Sequence, residues 1–242
     1  MATYVLVHGA WHGAWCWYKV IPRLERAGHK VIALDLPGLG RDQTPLPDVS
    51  LDTWTTRVCQ VLDDQPAPVI LVGHSLGGTA ISQAAERLPD AIRLSVYLTA
   101  FLLPNGQSAR GMLRQDGTSL LLLPGVMNVD SVASTVVAEA LKEVFYGNCS
   151  DEDLALARSA LRPQPSGPAG TPIAISEKRF GRVPRFYIEC LQDKTVPPLL
   201  QKTMYGEVAC QRIFSIDTDH SPFFSAPDEL VAHLTAVDGK GA

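Results

Sequence analysis

Two hydrophobic rhythms alternate along the chain. Short apolar runs occur at Tyr4–Val7, Val31–Leu34, Val69–Val72, Leu94–Leu98, Phe186–Ile188 and Arg212–Ile216. The first five are apolar nearly throughout, the pattern of strands covered on both faces. Between them, apolar residues recur at helical spacing. Trp17, Val20, Ile21 and Leu24 predict a helix closed at Gly28, a residue suited to a left-handed cap. Ser50 is placed to cap a helix carrying Trp54, Val58, Val61 and Leu62, and Pro197 and Pro198 suit the first turn of another. Ser225–Asp228 has the form of a capping box ahead of Leu230, Val231 and Leu234. Strands alternating with helices predict an α/β fold, with a mainly parallel six-stranded sheet and helices on both faces.

The alternation breaks between residues 103 and 183. Pro104, Asn105 and Gly106 mark a turn, and the apolar stretch Ser119–Met127 is interrupted by Pro124 and Gly125. Val132, Val136, Val137, Ala140, Leu141, Val144 and Phe145 predict one helical stripe closed by Gly147. Ser150–Asp153 opens a second helix, and Arg162–Pro172 is rich in Pro and Gly. The organisation expected is a core of residues 1–102 and 184–242, with 103–183 inserted as a lid. A lid over the strands' C-terminal ends would cover the place where open α/β sheets bind ligands.

Composition narrows the partners. In 242 residues, 46% are hydrophobic and 19% charged, which excludes intrinsic disorder. The net charge is −4 with no Lys/Arg cluster, which argues against nucleic acid as a partner. No apolar run approaches the ~18 residues of a membrane span, and a signal-peptide pattern is missing from the N-terminal residues. The five cysteines are widely spaced without a Cys-x-x-Cys pair. That spacing argues against a disulfide framework or a zinc site, and the expected compartment is a reducing cytoplasm.

The sharpest chemical signal is Gly73-His74-Ser75-Leu76-Gly77, a G-x-S-x-G motif between a buried-strand pattern and a helix rich in small residues. An abrupt strand-to-helix turn forces its middle residue into a strained conformation, and Gly73 and Gly77 remove side chains that would clash there. Ser75 then projects above the sheet, with the helix N-terminus behind it. A serine hydroxyl is a poor nucleophile until a base takes its proton and a third group orients that base. The order Ser, then Asp or Glu, then His selects Asp193 and His220, each just beyond an apolar strand. His220 alone among six histidines has the required place. Asp193 is preferred to Glu189, which lies inside a strand run, and to Asp217 and Asp219; Asp219 adjoins His220 and would have to turn onto its neighbour's ring. Oxyanion donors are expected from the backbone N–H of Leu76, after the nucleophile, and of Ala10, in the loop after the first strand. Gly9 lets that loop approach closely, and His8 is expected to brace it. His12 and Trp11 stay open between supporting or lining the site and packing in the core. His74 is expected to be structural.

These residues carry a resemblance. His8–Trp15, Gly28–Leu36, Gly73–Gly78, Cys149–Ala157 and Arg179–Ile188 resemble the branch of the α/β-hydrolases that holds plant methylesterases, among them salicylate-binding ones, and hydroxynitrile lyases. The likeness extends to bacterial pyrethroid-type carboxylesterases; it covers almost the whole chain and is weakest from Leu102 to Gly147. It implies a triad of Ser75, His220 and Asp193, oxyanion donors at Ala10 and Leu76, a lid-covered apolar pocket, no cofactor and often a homodimer. Lyases of this branch carry a lysine directly after the histidine and a threonine in the first loop, where this chain has Ser221 and Gly9. They also flank the nucleophile with Glu and Cys, where this chain has His74 and Leu76. Without a positive charge beside His220, a departing cyanide lacks its partner. The expected function is therefore a serine carboxylesterase working through an acyl-enzyme on a small hydrophobic or aromatic ester, without a metal. Lactonase or amidase action, a lyase on the same fold and a slow-turnover receptor are the other readings.

Overall fold

The computed structural model describes residues 1–237. Six strands form the central sheet: β1 (Thr3–Val7), β2 (Lys30–Leu34), β3 (Val69–His74), β4 (Ile92–Leu98) and, after three short strands described below, β8 (Arg185–Cys190) and β9 (Arg212–Ile216). Their order is β2-β1-β3-β4-β8-β9, and every pairing is parallel. All six residues of β3 are buried, as a central strand with helices on both faces requires. The six apolar runs seen in the sequence are these six strands. The alternation of period was enough, because a parallel strand buried on both sides has no polar face to confuse it with a helix.

Register places the strand ends on one edge. Val7 pairs with Gly73, His74 with Leu98, Leu98 with Ile188 and Cys190 with Ile216. The loops leaving β1, β3, β4, β8 and β9 therefore emerge side by side, and each carries a residue of the candidate site. Behind the edge, Gly77–Arg87 packs on β3 and β4, and Leu51–Asp63 packs against Gly77–Arg87. Ser50 caps the second of these, with a reciprocal bond to Thr53.

Local signals differ from the expectation in three places. The first helical pattern splits into a 3-10 turn, Ala14–Trp17, and a helix, Ile21–Arg26, before Gly28 at φ 85°. Ser225 does not cap the last helix, which starts at Pro227 after Ala226. Its hydroxyl is held by the Thr218 hydroxyl and donates to Asp219 and to the Ser221 carbonyl. The stripe from Val132 to Phe145 is not one helix. Ala133–Val136 is a strand (β6), and only Leu141–Phe145 is helical. The β-branched residues Val132, Thr135, Val136 and Val137 favour extended backbone, and an antiparallel partner at Met127–Val129 (β5) was available. With Gln164–Pro165 (β7) these form a second, three-stranded antiparallel sheet. Ser150 caps Asp151–Ala160 as expected, and the Asp153 carboxylate accepts from Tyr18 and Lys19, fastening that helix to the core. No helix among the described residues is long and apolar enough to cross a membrane.

Candidate active site

Ser75 sits at the hinge between β3 and Gly77–Arg87 with φ 51°, a left-handed value that costs a non-glycine residue about 1–3 kcal/mol. Surrounding backbone holds it there. Its N–H donates to the Leu98 carbonyl, and its carbonyl accepts from Gly78 and Phe101. Space at the turn requires glycine. A methyl group on Gly77 would lie 2.5 Å from the His8 carbonyl oxygen, and one on Gly9 would lie 2.7 Å from the Ser75 Cβ. The β1 loop and the Ser75 turn are thus in contact because both lack side chains there.

The structure brings Ser75, His220 and Asp193 together. The Ser75 hydroxyl is 3.0 Å from His220 Nε2, and His220 Nδ1 is 2.6 Å from Asp193 Oδ2. A carboxylate only accepts, so the proton is on Nδ1 and the Nε2 lone pair faces the hydroxyl. Asp193 Oδ1 accepts from the Thr195 and Val196 amides, at 2.7 and 2.9 Å, and the Thr99 hydroxyl donates to Oδ2. All three triad positions are almost fully buried. The rival acids lie elsewhere. Glu189 accepts from Tyr205 and Ser215, Asp219 from the Asn148 and Ser221 amides, and Asp217 from Gln192.

The remaining histidines of this edge are braces. His8 donates from Nδ1 to the Gly9 carbonyl and accepts the Leu36 amide on Nε2. His12 donates from Nδ1 to the Ala10 carbonyl and accepts the Tyr146 hydroxyl on Nε2 at 2.7 Å. Burial pushes His8 down to about 4 and His12 down to about 3, so both are neutral at physiological pH. His74 donates from Nε2 to the backbone carbonyl of His220, with the rings 4.7 Å apart. Burial holds it well below the usual imidazole range. The Ala10 and Leu76 amides bond to no backbone carbonyl among the described residues, and both residues line the same cavity as Ser75.

Comparison with known proteins gives the family. Residues 4–233 match the model of the alpha/beta hydrolase family. The chain belongs to that family. Among its relatives, the putative chloroplastic methylesterase 11 of Arabidopsis thaliana is 35% identical, covering 94% of this chain but 61% of the relative. The chain thus spans less than two thirds of that protein's length. Salicylic acid-binding protein 2 of Nicotiana tabacum is 34% identical over 98% of this chain and 97% of its own. The solved structure of the methylesterase MES16 from Arabidopsis superposes with a TM-score of 0.85 at 29% identity, covering 99% of each chain.

A cavity of about 220 Å³ lies between the sheet edge that carries Ser75 and the segment between β4 and β8. From the insertion, Leu121, Leu122, Met127 and Val129 line it. Between residues 132 and 145, only Ser134 lines this cavity. Phe145 instead packs on Trp11 and His220, with ring centres 5.5 and 5.7 Å away. Trp11 is a wall of the cavity. Its ring N–H donates to the Ser134 carbonyl and its amide to Gln164, so the β1 loop is tied to the insertion. Thr99, Tyr146 and Gln164 escaped the sequence reading. Thr99, at φ 38° directly after β4, could have been suspected from its place at the strand's end; Tyr146 and Gln164 offered no local signal.

Proposed function

We propose that the protein is a serine carboxylic-ester hydrolase that works through an acyl-enzyme. His220 takes the proton from Ser75 as Oγ attacks the ester carbonyl, forming a tetrahedral intermediate. Asp193 keeps the imidazole in the tautomer with Nδ1–H and stabilises the imidazolium. The Ala10 and Leu76 amides receive the oxyanion, each worth about 3 kcal/mol of barrier. His220 then protonates the leaving alcohol. It next takes a proton from water, whose oxygen attacks the acyl carbon, and returns that proton to Ser75 as the acid leaves. The observation that carries this reading is the continuous hydrogen-bond chain from Ser75 through His220 to Asp193 beside two unbonded amides.

The substrate is a small ester with a hydrophobic or aromatic body, such as a methyl or aryl ester. The cavity walls favour it, since Phe101, Leu113, Leu121, Met127 and Val129 supply apolar surface near Ser75. Similarity to methylesterases supports the same class. Residues 103–183 act as the lid that supplies all of these walls but Phe101. The test is a panel of methyl and aryl esters with phenylmethylsulfonyl fluoride labelling. Turnover and a single labelled peptide containing Ser75 are expected, with Ser75→Ala lowering kcat by at least ~10⁴-fold. Turnover of p-nitrophenyl acetate by Ser75→Ala within tenfold of the parent would overturn the mechanism.

A further inference from the structure

The helix Ala109–Asp116 turns two arginines to the cavity that Ser75 also lines. Arg110 and Arg114 both line the cavity, and both are exposed at its mouth. Four residues apart, they share one helix face, where like charges repel. Arg110 donates from Nη2 to the Ser166 carbonyl at 2.8 Å, a contact that orients the guanidinium without neutralising it. Arg114 has no hydrogen-bond or ion-pair partner among the described residues. No Asp or Glu lines the cavity, although the chain as a whole carries a net charge of −4. An acidic protein has therefore put two cations without an acidic partner where its mostly apolar pocket opens.

We infer that the ester this pocket takes carries a second, anionic group, a carboxylate at the end remote from the scissile carbonyl. This deepens the ester-hydrolase reading and rests on it. The apolar walls hold the body of such a half-ester, Ser75 meets its ester end, and Arg110 and Arg114 pair with its carboxylate. A guanidinium fork matches a carboxylate in geometry as well as charge. Because the pairing is far from the reacting carbonyl, it acts equally in the ground and transition states and belongs in KM rather than kcat.

The experiment compares two series of methyl esters of increasing chain length, half-esters of straight-chain dicarboxylic acids and esters of the matching monocarboxylic acids. At the best length the half-ester is expected to lead by about tenfold in kcat/KM, after discounting a charge-assisted bond for its exposure. The lead resides in KM and shrinks at high ionic strength. In the double variant Arg110→Gln/Arg114→Gln the ratio of the two series falls to about one, whereas Arg114→Lys keeps most of it. A parent ratio near one, or a ratio unchanged in the double variant, overturns the inference while leaving ester hydrolysis intact. If the parent hydrolyses neither series, calorimetric binding of a dicarboxylic acid against its monocarboxylic counterpart decides the inference. Tighter binding of the diacid, lost in the double variant, supports it; equal binding overturns it.

Discussion

Along the sheet edge Asp193 meets four donors, from His220, Thr99, Thr195 and Val196, and each neighbouring histidine is fixed through both or one of its nitrogens. Across the cavity, Leu121, Leu122, Met127 and Val129 face the same space with hydrocarbon, and only Arg110 and Arg114 bring charge. One wall is a polar network whose members cannot move independently. The other is a set of short elements, none of its helices longer than the 10 residues of Asp151–Ala160. The difference separates two tasks. Bond-breaking needs fixed donors and acceptors, because a misplaced group loses the transition state. Selection among substrates needs shape and area, which hydrophobic residues supply without fixed geometry. Changes to the first wall should therefore lower kcat, and changes to the second should redistribute preference.

The sharpest way to break that comparison is to corrupt the polar wall while leaving its shape. In Asp193→Asn the side-chain amide places a donor where a second donor, His220 Nδ1–H, already points. The imidazole then turns to the other tautomer and presents a proton, not a lone pair, to Ser75. A fall of about 10³–10⁴-fold in kcat with little change in KM is expected in steady-state assays on the best ester of the panel. A loss confined to KM would mean that Asp193 serves the shape of the pocket instead.

The same wall carries a stability signature that the insertion lacks. His8 and His12 are neutral when folded, with values of about 4 and about 3, while an unfolded histidine titrates near ~6.5. Above that value neither state is protonated and nothing is lost. As pH falls below it, the unfolded chain binds protons that the folded chain refuses, so stability declines by about 1.4 kcal/mol per pH unit for each such histidine. From pH ~6.5 to ~5 that is about 2 kcal/mol per residue, against a typical total of roughly 5–15 kcal/mol. Free carboxylates titrate near ~4, below this window, so the histidines are the groups to vary there. Urea midpoints measured across it are expected to fall steeply, and His12→Phe is expected to flatten the slope by one residue's share. An unchanged slope in that variant would show that His12 is protonated in the folded protein.

How much of each wall could be read in the sequence follows the same division. The strands, the Ser75 turn and the order of Ser75, Asp193 and His220 were legible because each rests on local chemistry: unbroken β-forming runs, glycines where a Cβ would clash, and strand-end positions. Thr99 was not, because its role depends on Asp193, 94 positions away. The Val132–Phe145 stripe misled because i, i+4 spacing and β-branching point in opposite directions there, and pairing with Met127–Val129 decided for strand. Ser225 misled in another way. A hydroxyl that could cap a helix was captured by Thr218 and Asp219, groups adjacent in space that no capping motif includes. In the insertion, short elements leave each residue's partner to tertiary packing, and there the apolar pattern loses its authority.

The smallest effect is expected where the two walls join. Tyr146 follows the insertion's Leu141–Phe145 helix and donates its hydroxyl to His12 Nε2, and His12 in turn donates to the carbonyl of Ala10. Burial pushes the Tyr146 phenol upward, so its proton remains available for this bond. Tyr146→Phe keeps the ring that packs on Phe145 and Phe224 but strands a buried nitrogen, at a cost of about 1–3 kcal/mol in stability. Because the Ala10 amide is only loosened and not removed, kcat should fall by about threefold to tenfold, well short of the roughly 10²–10³-fold seen when an oxyanion donor is lost. KM should hold, since the Tyr146 hydroxyl lies behind the β1 loop. Measured kcat and KM on one neutral ester decide between this relay and a purely structural bond. If stability falls and kcat does not, the insertion only covers the polar wall; if both fall, it also helps to aim it.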